Sequence, residues 1–265
     1  MTADNTNQQK LSVIIPIFNE PRICRNLKII ERELDKSFPN YEIICVDDGS
    51  RDKTLAHLNG AKTNKVKVLS YPHNVGKGFA LSYGFCHSDG DLVAFIDSDL
   101  ELHPKQIRIF SDLLDLSGAD IVIGSKRHPL SKVKYPWNRR FYSWNYQLMV
   151  HLLFGLNVTD TQVGIKLFKR KVLEKVLPKL VVKKWAFDLE LLIVACKFGF
   201  TKIIEAPIKL NGRFSGSKID LWAVKNIFQD TLAIFYRNYI LKYYDRGKSD
   251  STNIQPLPNI EPKLA

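Results

Sequence analysis

The 265-residue sequence lacks any apolar run of 18 or more residues, which is about the length that a membrane-spanning helix requires. The nearest approach, residues 148–154, is far too short and contains His151. The polar stretch 2–10 also lacks the apolar centre of a signal peptide. We therefore expect neither a transmembrane helix nor a secretory leader.

Cysteine is scarce, with four residues that stand far apart and show no metal-binding spacing. Such isolated cysteines are typical of free thiols in a reducing compartment, so we expect a cytoplasmic protein. The four are Cys24, Cys45, Cys86 and Cys196.

Acidic residues are absent from 121–159, although the chain as a whole has 27 of them. The formal net charge is +12, which favours a polyanionic partner such as a nucleic acid, a nucleotide or an acidic lipid surface. The cations of this acid-free segment are Lys126, Arg127, Lys132, Lys134, Arg139 and Arg140.

Apolar runs alternate with helical patterns in the first half of the chain, which predicts an α/β fold with a doubly wound, mostly parallel sheet. We expect strands near 11–17, 42–46, 66–69, 92–96 and 121–123. We expect helices near 23–36, 52–59, 77–86, 104–116, 137–154, 170–177, 184–198 and 220–243.

The strand predicted at 92–96 is followed by carboxylates at alternate positions, Asp97, Asp99 and Glu101. Alternate side chains of extended backbone share a side, so these groups can converge on one hard cation. Open α/β sheets bind ligands at the carboxyl ends of their strands. The pattern predicts a site for Mg²⁺ or Mn²⁺, although a solvated acidic turn is the commoner outcome for an isolated Asp-x-Asp.

Polar residues follow the other predicted strands as well. The first strand ends in Pro16-Ile17-Phe18-Asn19-Glu20, and the second in Asp47-Asp48-Gly49-Ser50. The third is followed by Asn74-Val75-Gly76-Lys77-Gly78. An aspartate there can bind a base or a ribose, while glycines and a lysine suit a diphosphate. Taken singly, the second motif is more often a capped turn, with Ser50 as the N-cap of a helix.

In this order and spacing, the motifs resemble those of the family 2 inverting glycosyltransferases, which have the GT-A fold. The resemblance covers residues 10–245. Two further motifs are similar to those of the polyprenyl-phosphate branch of that family: Asp160-Thr161-Gln162-Val163-Gly164-Ile165-Lys166-Leu167-Phe168 and Trp185-Ala186-Phe187-Asp188-Leu189-Glu190-Leu191-Leu192. Arg213-Phe214-Ser215-Gly216-Ser217-Lys218 resembles the basic diphosphate loop of the same branch.

The resemblance implies a metal-dependent hexosyltransferase that uses a nucleotide sugar and a polyprenyl (dolichyl or undecaprenyl) monophosphate. UDP-glucose is the favoured donor, and GDP-mannose is the alternative, because Arg213 is more typical of mannosyl enzymes. The implied nucleotide-sugar residues are Pro16, Phe18, Glu20, Asp47, Asp48, Gly76, Lys77, Ser98, Arg213 and Lys218. The implied catalytic residues are Asp97, Asp99 and Asp188, with Asp97, Asp99 and Glu101 as metal ligands. Lys126, Arg127, Arg139 and Arg140 are implied to bind the acceptor phosphate.

Two alternatives are a family 2 transferase that acts on a glycan and a non-catalytic module that binds nucleotide sugars or anionic membranes. Asp188 and Glu190 can orient the acceptor or basic residues, or have a purely structural role. The aromatic helix at 137–154 can lie in the core or on an anionic bilayer, and no recognition motif supports nucleic-acid binding. We expect a peripheral protein on the cytoplasmic face of a membrane, and the sequence leaves the oligomeric state open.

For the domain organisation, we expect disordered ends at 1–9 and 246–265 around one domain at 10–245. Its first half, 10–125, would hold the nucleotide sugar and the metal. Its second half, 126–245, would bind the acceptor.

Overall fold

The computed structural model describes residues 9–133, 137–210 and 221–245, without the side chains of 137–142 and 221–223. Except for residue 9, the ends that we predict to be disordered lie outside these residues, as do Arg213 and Lys218.

The described residues form a seven-stranded sheet in the order β3-β2-β1-β4-β6-β5-β7. All neighbouring strands are parallel except β6, which runs antiparallel to both β4 and β5. The strands are β1 Leu11–Ile17, β2 Tyr41–Asp47, β3 Val66–Ser70, β4 Leu92–Ile96, β5 Ile121–Ser125, β6 Ile165–Lys169 and β7 Ile203–Pro207.

The α-helices occupy the positions that the sequence patterns indicate, with small differences at their ends. Helix α1 buries Ile23, Leu27, Ile30 and Leu34, a spacing that places one face of the helix on the sheet. The helices are α1 Ile23–Ser37, α2 Thr54–Asn59, α3 Lys77–Cys86, α4 Gln106–Ser117, α5 Trp137–Phe154, α6 Arg170–Val176, α7 Phe187–Lys197 and α8 Leu221–Phe235.

The helix that we predict at 220–243 is not α-helical throughout. Helix α8 is followed by a π-helix, Tyr236–Ile240, and by a single 3₁₀ turn, Tyr243–Asp245. None of the helices in the described ranges combines the length and apolarity that crossing a bilayer demands.

Strands β1, β2, β4 and β5 are buried almost throughout, as expected of central strands that helices cover on both faces. Both predicted halves of the chain contribute strands to this sheet, because β6 and β7 follow residue 125. Strand β6 runs backwards, so its amino end lies at the edge where β1 and β4 have their carboxyl ends. The segment before β6 therefore reaches the edge at which ligands are expected.

Candidate active site

A cavity of about 620 Å³ opens at this edge of the sheet. It brings together residues from the ends of β1, β2 and β4, the start of α3 and the start of α7. Ten of the predicted site residues line it: Pro16, Phe18, Glu20, Asp48, Gly76, Lys77, Asp97, Ser98, Asp99 and Asp188.

Lys77 and Asp97 form an ion pair inside this cavity, with Lys77 Nζ 2.6 Å from Asp97 Oδ1. Partial burial disfavours the charged ammonium, but the Asp97 and Asp188 carboxylates more than offset this effect and raise the pKa of Lys77 above its ordinary value. Lys77 is therefore a permanent cation beside the carboxylates, suitable for contact with a diphosphate.

The other oxygen of Asp97 lies directly against the backbone of Gly164, in the segment that precedes β6. A Cβ at position 164 would lie only 2.6 Å from Asp97 Cγ, well inside van der Waals contact. Only glycine leaves room for the Asp97 carboxylate here. The segment before β6 thus fixes one side of the predicted metal site.

The three carboxylates after β4 do not come together as a trio. Within residues 9–133, 137–210 and 221–245, no group of three His, Cys, Asp or Glu side chains is placed to hold a metal. Asp97 and Asp99 line the cavity, whereas Glu101 Oε1 lies 3.8 Å from Lys126 Nζ. Two carboxylates with a ligand's phosphate oxygens still fit Mg²⁺ or Mn²⁺, which require few protein ligands.

The two aspartates after β2 have different surroundings. Asp47 is buried and its Oδ2 accepts a hydrogen bond from Ser50 N, while Oδ1 has no partner among the described residues. Burial is the main reason that the pKa of Asp47 is raised. Asp47 Oδ1 is thus a buried acceptor without a donor.

Asp48, which we predict to bind the nucleotide, lines the cavity and also organises the loop after β3. Its carboxylate accepts hydrogen bonds from Asn74 Nδ2 (3.0 Å), Val75 N (2.7 Å) and Gly76 N (3.0 Å).

The prediction that Ser50 caps a helix is wrong, because Ser50 Oγ accepts a hydrogen bond from Asn19 N and α2 begins only at Thr54.

Asp188 lies at the start of α7 and pairs with Lys166 Nζ at 2.8 Å. Burial favours the neutral acid, but the charges of Lys166 and Lys77 hold the pKa of Asp188 below its ordinary value. Glu190 is fully buried, is bound by other protein groups and does not line the cavity. The charges alternate through the site in the order Lys166, Asp188, Lys77 and Asp97.

Six described residues at this site are not among the predicted site residues. Lys166 is buried in β6, and the cavity is also lined by Ile17, Asn74, Gln162, Lys184 and Trp185. Gln162 Nε2 is buried and lies without a hydrogen-bond partner within 3.5 Å among the described residues. The motifs at 16–20, 74–78, 160–168 and 185–192 contain five of these residues, which is the signal that the sequence offers, whereas Lys184 is brought in by packing alone.

The acid-free basic segment lies beside a second cavity, of about 330 Å³, between α5 and the loop at 156–159. Arg127 lines it, and Arg127 Nη2 donates a hydrogen bond to Ser143 Oγ at 2.7 Å. Burial lowers the pKa of Arg127, while Asp160 and Glu205 act in the opposite direction. Arg139 and Arg140 belong to α5, but their side chains lie outside the described set.

Two helices present rows of exposed apolar side chains. On α5 the row is Trp144, Leu148 and Leu152, and on α8 it is Val224, Phe228 and Leu232. The spacing of four residues keeps each row on one helix face. The two helices are in contact, since Phe154 packs against Phe235 with ring centroids 6.2 Å apart. The aromatic helix is therefore not simply a core helix.

The family model for glycosyl transferase family 2 matches residues 12–177. The chain belongs to this family, as the sequence motifs indicate, and is a glycosyltransferase. It is 33% identical to a dolichyl-phosphate beta-glucosyltransferase of Trichomonas vaginalis, a match that covers 89% of this chain and 76% of the relative. It is 31% identical to the Homo sapiens dolichyl-phosphate beta-glucosyltransferase, covering 86% of this chain and 76% of the relative.

Solved structures with the same fold include glucosyl-3-phosphoglycerate synthase from Mycobacterium tuberculosis in complex with Mn²⁺, UDP-glucose and phosphoglyceric acid. That structure has a TM-score of 0.66, 19% identity, and coverage of 86% of this chain and 79% of that one. Mannosyl-3-phosphoglycerate synthase from Rubrobacter xylanophilus matches with a TM-score of 0.62 at 17% identity, covering 88% and 75%. These likenesses confirm the GT-A-type fold and concern the fold alone.

Proposed function

We propose that this chain transfers glucose from UDP-glucose to a dolichyl-type polyprenyl monophosphate, with inversion at the anomeric carbon and with Mg²⁺ or Mn²⁺. The observation that carries the proposal is the match to curated dolichyl-phosphate beta-glucosyltransferases along most of both chains. The charges of the larger cavity are consistent with it, because cations and carboxylates alternate where a nucleotide diphosphate and a divalent ion would bind together.

On the donor side, Asp97 and Asp99 would hold the divalent ion, which supplies charge compensation for the leaving diphosphate when bound. Lys77 would exchange its contact with Asp97 for a phosphate oxygen. The buried acceptor Asp47 Oδ1 suits an N–H of the base, and Gln162 Nε2 suits a hydroxyl of the sugar. Arg213 and Lys218 are further candidates for the diphosphate.

The transfer needs no strong general base. A phosphate monoester is largely ionised near neutral pH, since its second pKa is about 6. One of its oxygens attacks the anomeric carbon, the bond from that carbon to the diphosphate breaks, and the nucleoside diphosphate leaves with the electron pair. Lys166 balances the charge of the Asp188 carboxylate, so we propose that Asp188 holds Lys77 in place near the donor and does not act as a base.

On the acceptor side, we propose that Arg127 and Ser143 bind the phosphate. Arg139 and Arg140, which lie on α5 as Ser143 does, would bind it as well. Lys126 would link this region to the donor, because its Nζ faces Glu101. Arg127→Ala is expected to raise the KM for polyprenyl phosphate and to leave the affinity for UDP unchanged. Lys132→Ala removes a neighbouring cation that lines neither cavity and is the matched control. Loss of UDP binding in Arg127→Ala would contradict the assignment.

The two apolar rows on α5 and α8 would rest on the cytoplasmic face of an anionic membrane, with the basic segment beside them. Leu152→Glu is expected to reduce flotation with anionic vesicles, and salt is expected to weaken the binding of the unaltered protein. Leu116→Glu places the same charge on α4, at a leucine that is 86% exposed, and should float normally. Equal binding to neutral and anionic vesicles would refute this orientation.

A donor panel tests the reaction itself. Purified protein is incubated with UDP-glucose or GDP-mannose and a short polyprenyl phosphate, with and without EDTA, and the lipid product is measured. UDP-glucose is expected to be used, with activity lost in EDTA and reduced by orders of magnitude in Asp99→Asn. Asp112→Asn, which removes an exposed carboxylate paired with Arg108, is the control. Use of GDP-mannose alone, or of glycans but no lipid phosphate, would replace the proposal with the corresponding alternative.

A further inference from the structure

Glu190 is a fully buried carboxylate on α7, and both of its oxygens are hydrogen-bonded. Oε2 accepts hydrogen bonds from the backbone N–H groups of Val181 (2.9 Å) and Val182 (2.7 Å). Oε1 accepts hydrogen bonds from Arg237 Nη2 (3.2 Å) and from the Tyr244 hydroxyl. One carboxylate thus connects two parts of the chain that are far apart in sequence.

The first of these parts is the segment 181–185, of which Lys184 and Trp185 line the larger cavity. The carbonyl oxygen of Lys183 accepts a hydrogen bond from Gly78 N (2.9 Å) at the start of α3, next to Lys77. The same segment lies so close to Gly76 that a Cβ there would be 2.5 Å from the Lys183 carbonyl oxygen. The segment is therefore in direct contact with the backbone on both sides of Lys77.

The second part is the C-terminal segment 236–245. Arg237 belongs to the π-helix that continues α8, and Tyr244 is fully buried in the turn that follows. Arg237 Nε also donates a hydrogen bond to the Tyr244 hydroxyl at 3.1 Å. This geometry presents a guanidinium and a hydroxyl together to the same oxygen of Glu190.

We propose that Glu190 is a positioning residue for the donor site: it fixes the segment 181–185 against Gly76 and Gly78, and the C-terminal segment holds Glu190 in that orientation. The inference rests on the proposed function, because it assumes that the larger cavity binds the nucleotide. A buried carboxylate is costly unless each of its partners is in place, so the four hydrogen bonds form or loosen together. Residues 236–245, remote from the cavity, would thereby control nucleotide affinity.

The test measures UDP affinity in the presence of Mn²⁺ by calorimetry, with the full chain. Glu190→Gln keeps the shape but offers an amide where an acceptor is needed, and is expected to weaken UDP binding about tenfold, equal to about 1.4 kcal/mol. Tyr244→Phe removes one donor and leaves the ring packed, so a smaller loss of UDP affinity is expected. In both variants the amide of Gly78 should exchange its hydrogen faster, because its acceptor is on the segment that Glu190 fixes.

Lys197→Met is the matched control. Lys197 Nζ contacts Asn238 Oδ1 (3.0 Å) and Asp245 Oδ2 (2.9 Å), so this variant removes two other contacts of the C-terminal segment but leaves the hydrogen bonds of Arg237 and Tyr244 to Glu190 in place. Its melting temperature should fall while UDP affinity stays normal. Normal UDP affinity in Tyr244→Phe, or an equal loss in Lys197→Met, would overturn the inference. If Glu190→Gln does not fold, Tyr244→Phe decides. If the unaltered protein binds no UDP, the proposed function itself fails.

Discussion

The substitution Gly164→Ala tests how closely the segment before β6 determines the position of Asp97. The new Cβ would lie 2.6 Å from Asp97 Cγ, whereas ordinary van der Waals contact begins at 3.4 Å. Moving Cγ to that distance requires a shift of about 0.8 Å, and Oδ2, which lies closer to the new Cβ, would have to move further, so the carboxylate would leave its position beside Lys77. A displacement of about 1 Å at a reacting centre can reduce the rate by about 10²-fold, or about 2.7 kcal/mol.

The assay for Gly164→Ala is glucose transfer to a short polyprenyl phosphate across a titration of Mn²⁺. We expect kcat/KM to fall by about 10²-fold and the concentration of Mn²⁺ needed for half-maximal rate to rise. Gly60→Ala is the control, because a Cβ there meets no atom closer than 3.6 Å. An active Gly164→Ala enzyme with unchanged metal dependence would refute the argument that Gly164 makes room for a metal-binding Asp97.

Three further substitutions address the packing around the site. Lys166→Met breaks a buried ion pair and should destabilise the fold by about 3–5 kcal/mol at neutral pH, measured by urea unfolding. The folded state lowers the pKa of Asp188, so the ion pair stabilises the fold above the unfolded-state pKa of Asp188, and this stabilisation is lost as pH falls through the folded-state pKa. The difference in unfolding free energy between Lys166→Met and the unaltered protein should therefore shrink in acid. A difference independent of pH would contradict this. Asp48→Asn should weaken UDP binding, because the loop after β3 loses an acceptor; unchanged calorimetry would show that the loop holds without it. Gly78→Ala should lower the melting temperature, since its Cβ would overlap the ring of Phe187; an unaltered melting curve would show that α3 and α7 can separate freely.

Much of the fold follows from the sequence because the central strands are short, largely apolar runs and the helices repeat apolar residues on one face. Strands β1 and β4 and helices α3 and α5 have the predicted bounds, since each is a largely apolar run or a helical pattern. Strands β6 and β7 are absent from the predictions. Strand β6 contains the charged Lys166, which packing with Asp188 makes tolerable, and β7 is a half-buried edge strand that includes Glu205.

The candidate site was only partly predictable from the sequence. The rule that ligands bind at the carboxyl ends of strands correctly placed Lys77, Asp97 and Asp99 in one cavity. It could not indicate that Glu101 faces Lys126, or that Asp48 is occupied by the loop after β3. Those outcomes depend on where side chains distant in sequence come to lie.

The reversed direction of β6 also determines where the chain can accept insertions. Insertions before β6 would open into the cavity, as would those at the ends of β1, β2 and β4. The turn between α7 and β7 lies at the opposite edge of the sheet, and Gly199 there is exposed, with no atom within 4 Å of an added Cβ. A fluorescent reporter or affinity tag could be inserted into that turn to follow the enzyme on vesicles without obstructing the cavity.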